Sequence, residues 1–111
     1  MARVVGIVAL ELNPGFTDEQ VRELATDTIR EFRVPGVVNA RLGQGIRGDR
    51  QGNYALIWEF ESVETMERYF PMPSTPSDEW ERKTAGAPAA ILERYFTLFT
   101  MSYTDYVVLG E

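Results

Sequence analysis

From residue 53 to 73 the chain reads NYALIWEFESVETMERYFPMP, and this stretch restricts the fold more than any other. Tyr54, Leu56, Trp58 and Phe60 alternate along it, the period of a strand with one packing face. Ser62 then stands where a helix N-cap is needed. Val63, Met66 and Phe70 follow at helical spacing, with Glu64 and Arg68 placed as an i,i+4 pair, and Pro71 and Pro73 stop the helix. No linker separates strand from helix, so the helix must fold back on the sheet that the strand joins.

The rest of the chain fits a sheet of that kind. Residues Val4–Leu12 carry Val4, Val8 and Leu10 on one face and Val5, Ile7 and Ala9 on the other, so this strand is expected to be buried on both sides. After Asn13-Pro14-Gly15, Thr17 and Gln20 have the spacing of a capping box. Val21, Leu24, Ala25, Ile29 and Phe32 form the inward stripe of the helix that follows, Asp18 and Arg22 are spaced to pair on its outside, and Pro35-Gly36 ends it. Residues 37–46 and 53–61 read as two strands of a hairpin joined by the polar loop 47–52. Thr75, Pro76 and Asp78 have the order of N-cap, first-turn proline and N3 acid, which predicts a helical turn or two to about Thr84. Gly86 and Pro88 interrupt the pattern, Ile91, Leu92, Tyr95, Phe96 and Phe99 recur at helical spacing, and a last strand is expected at 103–109.

A chain of 111 residues is expected to form a single domain, spanning 1–111, with one core. Its apolar runs, such as VVGIVAL, have strand length and fall well short of the roughly 20 residues of a membrane-spanning helix. No secretory pattern precedes the first strand, so the expected compartment is the cytoplasm, with which zero cysteine is compatible. The net charge of -6, with positive residues scattered, argues against nucleic acid as a partner.

The predicted order β-α-β-β-α(α)-β is the ferredoxin-like split βαβ arrangement, an α+β fold with an antiparallel sheet and its helices on one face. Its other face, apolar along the first strand, is expected to be covered by a second copy in a homodimer. The segment Val34-Pro35-Gly36-Val37-Val38, with Tyr54 to Ser62 followed by Glu64, Met66, Tyr69 and Pro71, resembles the dimeric α+β barrel proteins. The resemblance is greatest to their stress-responsive A/B barrel branch, with antibiotic-biosynthesis-type monooxygenases as cousins. It covers most of residues 2 to 73 and implies the fold more strongly than any activity. Many of that branch carry a histidine just after the short helix, where this chain has Phe70-Pro71-Met72-Pro73-Ser74, so no histidine role is carried over.

Chemistry is limited by what the chain lacks. With no histidine and no cysteine there is no imidazole base, no Ser-His-Asp triad and no thiolate or histidine metal site, and no metal or cofactor is assigned. The match of Gly43-Gln44-Gly45-Ile46-Arg47-Gly48 to GxGxxG is dismissed, because a loop and a strand follow where the dinucleotide fingerprint requires a helix. Gly43 and Gly45 instead mark a bulge or a close backbone approach. Lys83, the only lysine, lies four residues after Glu79, where a surface pair is expected.

Glu59 is the first candidate for a catalytic base, since it lies mid-strand on the face opposite Trp58. If that face is enclosed, desolvation raises its pKa unless Arg41 or Arg3 answers the charge; the other reading is a plain cross-strand ion pair. Tyr103 and Asp105 are further candidates for moving a proton. Among the aromatics of the second half, which include Phe99 and Tyr106, Trp58, Trp80 and Tyr95 are candidate walls of a cavity for a small apolar or aromatic ligand. Phe70 would stand on its rim in the loop 70–75, and Arg41 is a candidate ligand contact. The same stripe also reads as plain core. Two functions follow: a stress-associated or small-molecule-binding scaffold, or a cofactor-independent monooxygenase, cyclase or isomerase acting on a small aromatic or polyketide-like substrate. They are separated by whether the interior is a pocket with converging polar groups or a packed core.

Overall fold

A computed structural model describes residues 2–72 and 75–110. Pro73, the second proline expected to stop the short helix, and Ser74 in the loop expected to form the cavity rim lie outside the described residues. Four strands and four helices follow one another as β1 (Val4–Leu12), α1 (Asp18–Glu31), β2 (Val37–Gln44), β3 (Tyr54–Phe60), α2 (Val63–Tyr69), α3 (Asp78–Thr84), α4 (Ala87–Leu98) and β4 (Phe99–Val107). The sheet has the order β2-β3-β1-β4 and every neighbouring pair is antiparallel. This is the α+β, ferredoxin-like architecture that the order of elements implied.

The helices take one side of the sheet because the buried residues of the strands share one face. Val4, Val8 and Leu10 of β1 and Tyr54, Leu56 and Phe60 of β3 join Val21, Leu24, Trp80, Ile91, Tyr95 and Leu98 of the helices in a common core. On the opposite face Ile7 and Ile57, directly paired across β1 and β3, remain 39% and 43% exposed. In the isolated chain β1 is therefore buried on one side and open on the other, so the expectation of two buried faces depends on whatever covers the second.

Local signals held at several element ends. Thr17 and Gln20 form the capping box of α1, and Ser62 accepts the Thr65 N–H at the start of α2. Gly36, at φ 86°, makes the turn from α1 into β2 in a conformation that L side chains avoid, and β2 opens with a bulge between Val37 and Asn39.

Other expectations are corrected. Ile29 is half exposed, and its place in the α1 stripe goes to Thr28, whose Oγ1 donates to the Leu24 carbonyl and shares a hydrogen bond of 2.7 Å with the Tyr95 hydroxyl. A polar residue is cheap to bury there because its bonds are made. On α2 the deepest residues are Thr65 and Tyr69, with Val63, Met66 and Phe70 only partly covered; the Tyr69 hydroxyl donates to the Pro35 carbonyl. Arg68 pairs with Glu79 of α3 at 3.0 Å, where an intrahelical pair with Glu64 was expected. Asp18 accepts from the Tyr54 hydroxyl. The cap of α3 is Ser77, two residues beyond Thr75. Strand β2 stops at Gln44, and β4 starts at Phe99, four residues early, because Phe99 pairs with Leu12 at the far end of β1.

Candidate functional site

The site is built on a row of three residues crossing the sheet. Gly6 in the middle of β1 is paired with Trp58 of β3 on one side and Asp105 of β4 on the other, and all three face the helices. Gly6 has no side chain, so the Trp58 indole lies across β1 toward Asp105. A Cβ at Gly6 would come 2.1 Å from Trp58 Nε1 and 2.8 Å from Asp105 Oδ1, so the glycine is a notch cut to the shape of the indole.

Above this row the helical cover is incomplete. A cavity of about 390 Å³ opens between the sheet and the α2–α3 and α4 segments, with Trp58, Trp80, Tyr95, Phe96, Tyr103 and Asp105 in its lining. A second, of about 480 Å³, runs along Met66, Glu67 and Pro71 and shares Phe70, Tyr103 and Asp105 with the first. The aromatic walls are held by each other: Trp80 meets the Trp58 ring edge-on at 5.9 Å and the Phe70 ring at 4.8 Å. Phe96, 67% exposed, stands at the mouth.

The polar groups at this cavity differ in what they have left to offer. Burial pushes the Tyr95 hydroxyl up to about 12, only partly offset by its bond to Thr28, so it stays protonated and committed to α1. The Trp58 indole Nε1 is buried without a hydrogen-bond partner among the described residues. Partial desolvation also raises the pKa of the Asp105 carboxyl, although the residue as a whole is exposed, and no cation among the described residues opposes it. Among the described residues, then, a buried donor without an acceptor lies beside a carboxyl without a counter-charge.

The structure thus brings together Trp58, Phe70, Trp80, Tyr95, Tyr103 and Asp105. Glu59 and Arg41 are not among them. Glu59 lies on the open face of the sheet, where Arg3 answers it at 3.3 Å in an ion pair of the kind worth a few tenths of a kcal/mol to about 1 kcal/mol. Arg41 lines a separate open groove of about 520 Å³ beside α1 and β2, with Ile29, Arg33 and Val38. Lys83 pairs with Glu79 at 2.8 Å. Among the described residues no group of three acidic side chains is placed to hold a metal ion.

Gly6 is the residue that reading the sequence passed over. Its signal was present, as a glycine interrupting an otherwise apolar strand, the criterion applied above to Gly43 and Gly45. Gly45 does make a close approach, since a Cβ there would meet the Arg50 carbonyl oxygen at 2.4 Å, whereas Gly43 has open space around it.

No family model matches the chain, and no curated protein matches it in sequence. Solved structures do match it in shape. A dimeric ferredoxin-like protein of unknown function from Thermobifida fusca superposes with a TM-score of 0.67 at 11% identity, covering 96% of this chain and 92% of that one. A dabb family protein with a ferredoxin-like fold from Mesorhizobium loti gives 0.64 at 14% identity, over 99% of this chain and 100% of that one. SnoaB, a cofactor-independent oxygenase from Streptomyces nogalater, gives 0.63 at 14% identity, over 98% and 95%. At such identities the likeness is one of fold, and it bears out the ferredoxin-like arrangement expected from the sequence.

Proposed function

We propose that the chain is a single-domain, homodimeric α+β barrel protein that binds a small organic molecule with an apolar or aromatic body between its sheet and its helices. The observation that carries this reading is the Trp58 indole N–H, buried without an acceptor beside a cavity of about 390 Å³. A buried donor left unpaired costs about 1–3 kcal/mol, and native proteins keep few of them. The volume falls within the usual range for small-molecule sites. Dimer formation through the open sheet face is supported by the exposed Ile7 and Ile57 and by the dimeric description of the Thermobifida relative. Strand-length apolar runs and the absence of cysteine favour a cytoplasmic setting, and the stress-associated branch of the superfamily offers an analogy for a binding role.

The test is a titration with N-phenyl-1-naphthylamine, an uncharged probe that fluoresces in apolar cavities. Saturable binding is expected, and Leu92→Trp, which fills the cavity from α4, should weaken it roughly tenfold or more. Absence of saturable binding, or binding indifferent to Leu92→Trp, would remove the reading.

A second reading is favoured by Asp105. Of the carboxylates considered as bases, it rather than Glu59 faces the cavity, with Tyr103 beside it in the lining and its pKa raised by burial. In this reading the protein is a cofactor-independent monooxygenase, cyclase or isomerase, Asp105 accepts a proton from the bound substrate, and orientation supplies most of the rate. SnoaB, a cofactor-independent oxygenase, shares this fold.

A further inference from the structure

We infer that the ligand of this cavity is an organic cation, a protonated amine or a quaternary ammonium attached to an apolar body, and that Asp105 is its counter-ion. This rests on the reading of the cavity as a ligand site and specifies what the site selects. The two adjoining cavities, which share Phe70, Tyr103 and Asp105, are lined among the described residues by two carboxylates, Asp105 and Glu67, and by no lysine or arginine. In a protein with eleven basic residues this is a local exclusion of positive charge. Three half-buried acids elsewhere are paired with cations: Asp27 with Arg94 at 2.7 Å and with Arg30, Glu79 with Arg68 and Lys83, and Glu59 with Arg3. Asp105, exposed as a residue but with its carboxyl partly desolvated, lines both cavities with Phe70 and Tyr103 and has no cation among the described residues.

The remaining wall of the main cavity is apolar or aromatic. A cation in it gains from the faces of aromatic rings, by an amount that grows as water is removed, whereas an anion would meet ring faces and a carboxylate of its own sign. The Trp58 N–H has a part in the same arrangement. A Cβ at Gly6 would lie 2.1 Å from Nε1 and 2.8 Å from Asp105 Oδ1, so the unpaired indole donor and the carboxylate adjoin the same stretch of cavity wall. The net charge of -6 adds a long-range attraction of the same sign.

The experiment uses the full chain and measures displacement of N-phenyl-1-naphthylamine by phenethyltrimethylammonium and by its uncharged isostere, in which carbon replaces the nitrogen. The cation is expected to bind roughly tenfold more tightly than the isostere. Asp105→Asn should cancel that advantage, so that cation and isostere bind alike when both are measured in that variant, and Glu67→Gln should reduce it by a smaller factor. Equal affinity for cation and isostere, or cation binding indifferent to Asp105→Asn, overturns the inference and leaves the cavity a neutral-ligand site. Failure of the uncharged probe itself to bind overturns the cavity reading and this inference with it.

Discussion

Asp105 is the residue where stability and the proposed site pull in opposite directions. Because burial raises the Asp105 pKa above the ordinary value of 3.8, the folded chain holds that proton more tightly than the unfolded chain. The stability it contributes is complete below the ordinary value and is lost as pH rises through the raised one. Asp105→Asn, which cannot ionise, is therefore expected to melt above the parent protein at pH 7 and to match it at about pH 3, as thermal denaturation at the two pH values would report. A stabilising effect from removing a charge would mark the carboxyl as one kept for function. Gly6→Ala is expected to cost about 1–3 kcal/mol in urea unfolding, since its Cβ overlaps the indole, and to shift the tryptophan emission as Trp58 is displaced. Asp105 and Tyr103 were legible as proton-moving candidates from residue type alone. That Trp58, Gly6 and Asp105 form one row was not, because the register that aligns them is set by pairing across three strands.

At the level of elements, sequence signals succeeded where they were local. The capping box at Thr17 and the cap at Ser62 depend only on side chains reaching backbone N–H groups three residues away. The α3 start shows the limit of that logic. Thr75 and Ser77 both resemble N-caps, and the outcome goes to Ser77, whose hydroxyl accepts the Trp80 N–H at 3.2 Å while its own N–H donates to the Tyr69 carbonyl at 2.8 Å. Ser77→Ala is expected to lose about 1 kcal/mol in chemical denaturation, and Thr75→Ala no more than a few tenths. Periodicity also missed Thr28, Thr65 and Tyr69 as inward residues. Each is buried because its hydroxyl has a partner, and apolar spacing does not register partners. The four-residue error at the start of β4 has a similar origin: Tyr95, Phe96 and Phe99 fit a helical period, but β1 offers a partner strand as far as Leu12, and pairing prevails over local pattern.

For the whole molecule the open face of the sheet carries the prediction. If two copies meet through it, Ile57 is buried in both, and Ile57→Glu places a carboxylate beside its symmetry mate or the apolar residues around Ile7. The variant should weaken the dimer by roughly hundredfold or more, seen as a monomer by native mass spectrometry at concentrations where the parent chain is dimeric. Probe binding should persist in that monomer, since the cavity lies on the other side of the sheet; a parent chain that is monomeric would refute the dimer. By itself the sequence determined the α+β class, the order of elements and the strand face that packs, because periodicity and caps act between residues a few positions apart. Only the tertiary structure decided which candidates meet. Glu59 and Trp58 are adjacent in the chain yet fall on opposite faces of the sheet, while Trp58 and Asp105, 47 positions apart, converge over Gly6. The physical reason is that a strand sends successive side chains to opposite sides, and a sheet gathers into one row residues that the chain keeps far apart.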